Sequence, residues 1–171
     1  MRRIVEHGCE LPLEVLAGAI SSQTDALGRL RFKFEVQQMI LAGGCTTWVG
    51  ETTEELELAI DGVQAADEVF RSALASASAA VGISPESTLR EIAAAVDEPW
   101  SYIFRQGREE LVRSVDRVTA LCGENRKLLA RGYLATTAAL SLLGVPTATA
   151  YDANGAPVAR RESANILNAK A

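Results

Sequence analysis

From Leu11 to Gly44 the chain runs LPLEVLAGAISSQTDALGRLRFKFEVQQMILAGG, and the spacing of its large apolar residues decides the fold. Leu13, Ile20, Leu27, Phe34 and Leu41 recur every seven residues, with Leu16, Gln23, Leu30, Gln37 and Gly44 between them. Such a 3–4 alternation keeps one face of an α-helix turned toward a partner helix. Gln23 and Gln37 weaken that seam and help to set its register. Pro12 suits a first helical turn, where its missing N–H costs nothing, and Glu10 and Glu14 favour the positive end of the helix dipole. Gly43-Gly44 closes the helix, because glycine accepts the left-handed conformation of a C-terminal cap. A helix over 11–43 is about 50 Å long.

Outward from that stretch the same period continues. A second helix is expected to run to about Val81 on the stripe Val49, Leu56, Ile60, Val63, Asp67, Phe70, Leu74, Ala77 and Val81. Val49 belongs to the stripe, which places the helix start near Thr46 or Thr47. The alternative is a start at Thr52, where Thr52 and Glu55 have the spacing of a capping box. Asp67 is the odd member and is expected at an exposed edge. Gly82-Ile83-Ser84-Pro85 breaks the pattern, and Ser84-Pro85 reads as the cap and first residue of a short helix carrying Leu89, Ile92 and Val96. Asp97-Glu98-Pro99 stops it.

The last helix is expected from Pro99 or Trp100 to Gly144, about 65 Å if unbroken. Its stripe is Phe104, Leu111, Val115, Val118, Cys122, Asn125, Leu129, Gly132, Ala139 and Leu143, widened by Leu121, Leu128 and Leu142. Arg105, Glu109, Arg113 and Arg117 predict i,i+4 ion pairs worth a few tenths of a kcal/mol each. Each buried Leu or Val contributes roughly 1.5–3 kcal/mol, so the seam dominates. Gly132 and Thr136-Thr137 are poor helix formers and mark a place for a bend. After Leu143 two prolines and Asn154-Gly155 replace the helical period. These patterns describe an all-α chain: an elongated up-and-down bundle of three long antiparallel helices with a short connecting helix over 1–144, and a flexible or extended C-terminal tail over 145–171.

Composition narrows the function. Aromatics are 5% against 48% hydrophobic residues, which favours packed helices over a β-sandwich. Seventeen basic and 22 acidic residues give a net charge of −5. The basic clusters Arg2-Arg3 and Arg160-Arg161 lie near the ends, so no nucleic-acid partner is expected. No stretch approaches the apolar length of a membrane span, so no membrane insertion is expected. Met1 to Gly8 has positive charge without an apolar run behind it, unlike an export signal. Cys9, Cys45 and Cys122 have neither metal-ligand nor disulfide spacing, which fits reduced thiols in the cytoplasm.

Catalytic chemistry is not expected, and the chain reads as no enzyme. The sole histidine, His7, cannot supply the two Glu-x-x-His pairs of a di-iron bundle, nor a Ser–His or Cys–His pair on the helical core. No phosphate-binding glycine loop is present. Cys122 reads as core packing, and Asn125 as a buried register device rather than a ligand-binding amide. No cofactor or metal site is implied. Partner binding remains, and the late helix carries more apolar surface than one seam can bury. Leu128, Leu129, Tyr133, Leu134 and Leu140 are therefore the expected client-binding residues.

Several steps along the chain resemble the FlgN family of flagellar type III export chaperones. Asn125-Arg126-Lys127-Leu128-Leu129 matches the family's Asn-x-x-Leu-Leu step, and Ala139-Leu140-Ser141-Leu142-Leu143 its Ala-Leu-x-x-Leu step. Tyr151-Asp152-Ala153-Asn154-Gly155 matches the tyrosine with Asn-Gly behind it, although Asp152 stands where many members have glycine. Leu41-Ala42-Gly43-Gly44 with Trp48 is similar to the first turnaround, and Glu98-Pro99-Trp100 to the start of the last helix. The resemblance implies a cytoplasmic chaperone that keeps hook–filament junction proteins of the FlgK and FlgL type unassembled. It also implies delivery to the export gate protein FlhA, with the export ATPase complex as a further partner. Tyr151, Asn154 and Gly155 are the gate-binding residues so implied. For Tyr151 the alternative is a ring that pins the tail to the bundle. Two other classes fit the heptads: a coiled-coil adaptor or structural component of a flagellar or secretion assembly, and a homodimer whose seam pairs with itself.

Overall fold

Residues 10–144 are described by a computed structural model, and the chain divides into two units, Met1–Asn125 and Arg126–Ala171. The described residues are all-α, with no strand: α1 (Glu10–Ala42), a 3₁₀ turn (Thr46–Trp48), α2 (Val49–Val81), α3 (Leu89–Ala95) and α4 (Trp100–Leu142).

α1 buries its expected seam, with Leu13, Leu16, Ile20, Gln23, Leu27, Leu30 and Gln37 all inside, and adds Ala19 and Ala26 beside it. Gly44 closes the turn at φ +69°, and Cys45 N–H reaches back to Ile40 O at 3.1 Å. The 3₁₀ turn begins at the next residue, Thr46, so the early start near Thr46 is the one adopted. Thr52 makes no capping box. Its hydroxyl instead donates to Trp48 and Val49 carbonyls inside the helical turn. Below the turn Lys33 Nζ meets Glu55 Oε2 at 2.8 Å. Toward the far ends Leu13 and Leu16 share a cluster with Ala73 and Ala77, so α2 returns along α1.

α2 buries Leu56 and Ala77 of the expected stripe and packs Phe70, Leu74 and Val81 against the core, but between Leu56 and Ala77 its innermost positions are shifted. Thr52, Leu56, Ala66, Ala73, Ala77 and Ser78 are buried, while Ile60 is exposed and Asp67 and Leu74 are only half-buried. Alanines at 66 and 73 let α1 approach where Asp67 and Leu74 would hold it off. Asp67 then pairs at the edge with Arg71 at 2.9 Å. Gly82 ends α2 at φ +79°, with Gly82 N–H on Ala79 O and Ile83 N–H on Ser78 O, a Schellman closure.

Ser84-Pro85 does not open the short helix. Ser84 holds a turn, accepting from Glu86 N–H at its hydroxyl and from Ser87 N–H at its carbonyl. The helix starts four residues later, on a reciprocal box. Thr88 Oγ1 accepts from Glu91 N–H, and Glu91 Oε2 accepts from Thr88 N–H at 2.6 Å. This start puts Leu89, Ile92, Ala93 and Val96 into the core together. The Glu98–Pro99 peptide is cis, and Glu98 caps α4 by accepting from Tyr102 N–H at 3.0 Å. Ser101 Oγ donates to Ala93 O at 2.7 Å, tying the start of α4 to α3.

Phe104 is fully buried among Leu13, Leu16, Ile92 and Ala77, and stacks on Trp100. Three residues on, a Cβ at Gly107 would stand 2.7 Å from Ile20 Cγ2. Glycine is therefore required for the contact between α4 and α1. Further along, Val115 is 48% exposed and Ser114 takes the inner position instead. The expected pairs through Glu109 are not made: Arg105 turns to Glu98 and Arg113 to Glu110. α4 continues as α-helix through Gly132 and Thr136, where Thr136 Oγ1 donates to Gly132 O.

Two predictions follow from these contacts. Alanine gains about 1 kcal/mol over glycine in an open helix, but overpacking costs about 1–3 kcal/mol, and a β-branched methyl cannot swing aside. Gly107→Ala should thus lower the melting temperature, whereas Gly28→Ala, with nothing within 4 Å, should raise it. Equal shifts in the two variants would contradict the close approach. Bonding to the Thr88 backbone N–H, then to its hydroxyl, holds the Glu91 carboxyl below its ordinary range. A lowered folded-state pKa gives stability that is present above the unfolded value and lost as pH falls through the folded one. Thermal melts of Glu91→Gln should therefore lose this part of the acid-side slope, and an unchanged slope would count against the box.

Candidate functional site

Asn125 is the last residue of α4 that the first unit buries, at 2% exposure. Its Nδ2 donates to Phe34 O at 2.9 Å and to Gln37 Oε1 at 3.0 Å. Gln37 Nε2 in turn donates to Thr53 Oγ1 at 3.4 Å, so one polar chain links α4, α1 and α2. Gln38 Nε2 reinforces it from outside by donating to Glu124 Oε2 at 2.6 Å. Asn125 Oδ1 has no partner among the described residues. A buried amide bonded on one side only adds little net stability, but a shifted register would orphan both of its donors. This is the register role expected for Asn125 and Gln37. Cys122, one turn earlier, is half-buried and unpaired, and Cys45 is exposed.

Beyond Asn125 the character of α4 changes. Leu128 and Leu140 are half-buried, while Leu129, Tyr133 and Leu134 are 41%, 65% and 66% exposed. Leu142 and Leu143 are more open still. On a helix, positions 129, 133 and 140 share one face and form an apolar arc. Leu128 and Leu134 lie about 120° to either side of it, so the five expected client residues are spread around the helix rather than gathered on one face. Arg126 borders the arc, Lys127 and Arg131 lie on the side of Leu134, and no carboxylate occurs between Arg126 and Leu142. Tyr151, Asn154 and Gly155, the expected gate residues, lie outside the described residues, as does the tail from 145.

The arc suits adhesion rather than bond chemistry. Its only polar side chains, besides the cations, are the hydroxyls of Tyr133, Thr136, Thr137 and Ser141, with no base beside them. Among the described residues no group of three His, Cys, Asp or Glu side chains could hold a metal, and no helix is long and apolar enough to cross a membrane. The first unit has an open surface groove lined by Arg31, Glu35, Arg117, Ala120 and Leu121. Arg31 and Glu35 already pair with each other there, at 3.4 Å.

Comparison with protein-family models, with curated proteins and with solved structures finds no match to this chain.

The polar chain through Asn125 is testable by a double-mutant cycle. Asn125→Ala and Gln37→Ala should each destabilise by about 1–3 kcal/mol, since each leaves a buried partner unsatisfied. The double variant should cost less than the sum, with a coupling of about 0.5–3 kcal/mol in chemical denaturation. Strict additivity would mean that the two amides do not interact.

Proposed function

We propose that this chain is a cytoplasmic export chaperone of the FlgN type, not an enzyme, built as an up-and-down bundle of three long helices. It holds FlgK- and FlgL-like hook–filament junction proteins unassembled and delivers them to FlhA at the export gate. The observation that carries this proposal is the apolar surface of α4, from Leu128 to Leu140, which no side chain of the core accounts for. A client whose own helix has an apolar stripe could bury that stripe against the arc. At about 25 cal/mol per Å² of apolar surface, shielding a few leucines and a tyrosine supports moderate, reversible affinity. Reversibility matters for a carrier, which must release what it protects. The Asn-x-x-Leu-Leu and Ala-Leu-x-x-Leu steps that resemble the family fall on this same stretch of α4.

Separate residues should carry the two binding steps. Tyr133→Glu with Leu134→Glu should weaken binding of purified FlgK and FlgL by at least tenfold in calorimetry, with helix content unchanged. Tyr151→Ala should leave client affinity intact and weaken FlhA binding by roughly 2 kcal/mol or more, the scale of an aromatic anchor. If the charged pair binds clients as tightly as the native chain, the client site lies elsewhere. A lower melting temperature with unaltered FlhA affinity in Tyr151→Ala would make that ring a staple for the tail.

A further inference from the structure

Two helical surfaces outside the core are opposite in charge and alike in carrying apolar residues at their centre. The first is on α2, where the twenty residues Val49 to Glu68 contain seven carboxylates and no lysine or arginine. Lys33 occupies Glu55 and Arg71 occupies Asp67. Glu54, Glu57, Asp61 and Glu68 are exposed and form no ion pair among the described residues. They border Leu58, Gly62, Ala65 and Val69, which at i, i+4, i+7 and i+11 make one outward stripe. Leu58 is 72% and Val69 56% exposed, with small residues between them and open space above Gly62.

The second is the end of α4. From Arg126 to Leu142 there are three exposed cations and no carboxylate, with the large side chains of Tyr133 and Leu134 projecting beside them. The two stretches span about 30 and 25 Å. One offers small residues between large ones and the other bulky knobs, so shape and charge match together.

We infer that residues 126–142 of one copy dock on the acidic outer face of α2 of a second copy, and reciprocally, in a two-fold dimer. Both halves of the match occur in every chain, so a two-fold axis satisfies each of them twice with no third component. The contact differs from a pairing of core seams, because Leu58, Gly62, Ala65 and Val69 take no part in the core. Dimerisation of this kind covers Tyr133 and Leu134, so anything else that binds the end of α4 through them must compete with the second copy. The dimer goes beyond the chaperone proposal and does not depend on it.

Charge exchange in the full-length chain tests the dimer. Sedimentation equilibrium of the native protein should give about twice its 18.2 kDa. One variant carries Arg126→Glu, Lys127→Glu and Arg131→Glu, and the other Glu54→Lys, Glu57→Lys and Asp61→Lys. All six positions are exposed, so helix content by circular dichroism should not change. Each variant alone should dissociate at least tenfold more readily, because like charges then face each other. An equimolar mixture should recover the mass of two chains, since both contacts are again complementary. Should a triple variant fail to fold, Arg131→Glu with Asp61→Lys provides the same exchange with one change per face. A native chain of 18.2 kDa at every concentration overturns the dimer, as does undiminished self-association of either variant or a mixture that stays monomeric.

Discussion

Close approach between helices through small residues is the constraint on which the rest depends. Ile20 Cγ2 occupies the space that a Cβ on residue 107 would need, and Ala73 and Ala77 give α1 a similarly low surface on α2. Only with these approaches can Phe104 lie among Leu13, Leu16 and Ile92 with no exposed area. The apolar contacts supply stability without being selective about register. Selectivity comes from Asn125, whose donors find Phe34 O and Gln37 Oε1 only in one alignment of α4 with α1. Loose packing or a slipped register would each leave polar atoms unpaired, so the two devices enforce each other.

The α1 seam was legible because leucine, isoleucine and phenylalanine recur on it at helical spacing. Part of the α2 face was misread for the opposite reason: Leu56 and Ala77 are buried as expected, but between them Ala66 and Ala73 take the inner positions. Its inward residues are largely alanines, whose signal is weaker than that of neighbouring Ile60 and Leu74, and only the packing partner shows that small size was what counted. Competition between caps explains the second miss. Ser84-Pro85 has the form of a helix start, but Thr88 and Glu91 satisfy two backbone N–H groups reciprocally and lie next to the residues that need burying. Gly107 carried no sequence signal, since a glycine forced by a neighbour looks like any other. Of the candidate site, the apolar surplus after Asn125 was visible as leucines beyond the needs of one stripe. The grouping of Arg126, Lys127 and Arg131 without a carboxylate was equally visible but drew no inference until exposure gave it a surface.

A division of labour along the chain follows. Among the described residues, every buried residue of the core lies at or before Asn125. After it, the same kinds of residue are presented outward on a helix that is still regular. Such a helix is a preorganised binding surface, which avoids the ordering cost that a flexible segment meets on association. On the proposed function, affinity for a client resides in α4 and contact with the export gate in Tyr151, so the two can be tuned independently.

Hydrogen–deuterium exchange of the chain with and without a purified hook–filament junction protein tests this division most directly. In the variant carrying Glu54→Lys, Glu57→Lys and Asp61→Lys, whose α2 face no longer holds a second copy, added protection should concentrate between Arg126 and Leu142, with the seam of α1 little changed relative to the free variant. Protection confined to α1 and α2, with 126–142 exchanging as freely as before, would contradict it.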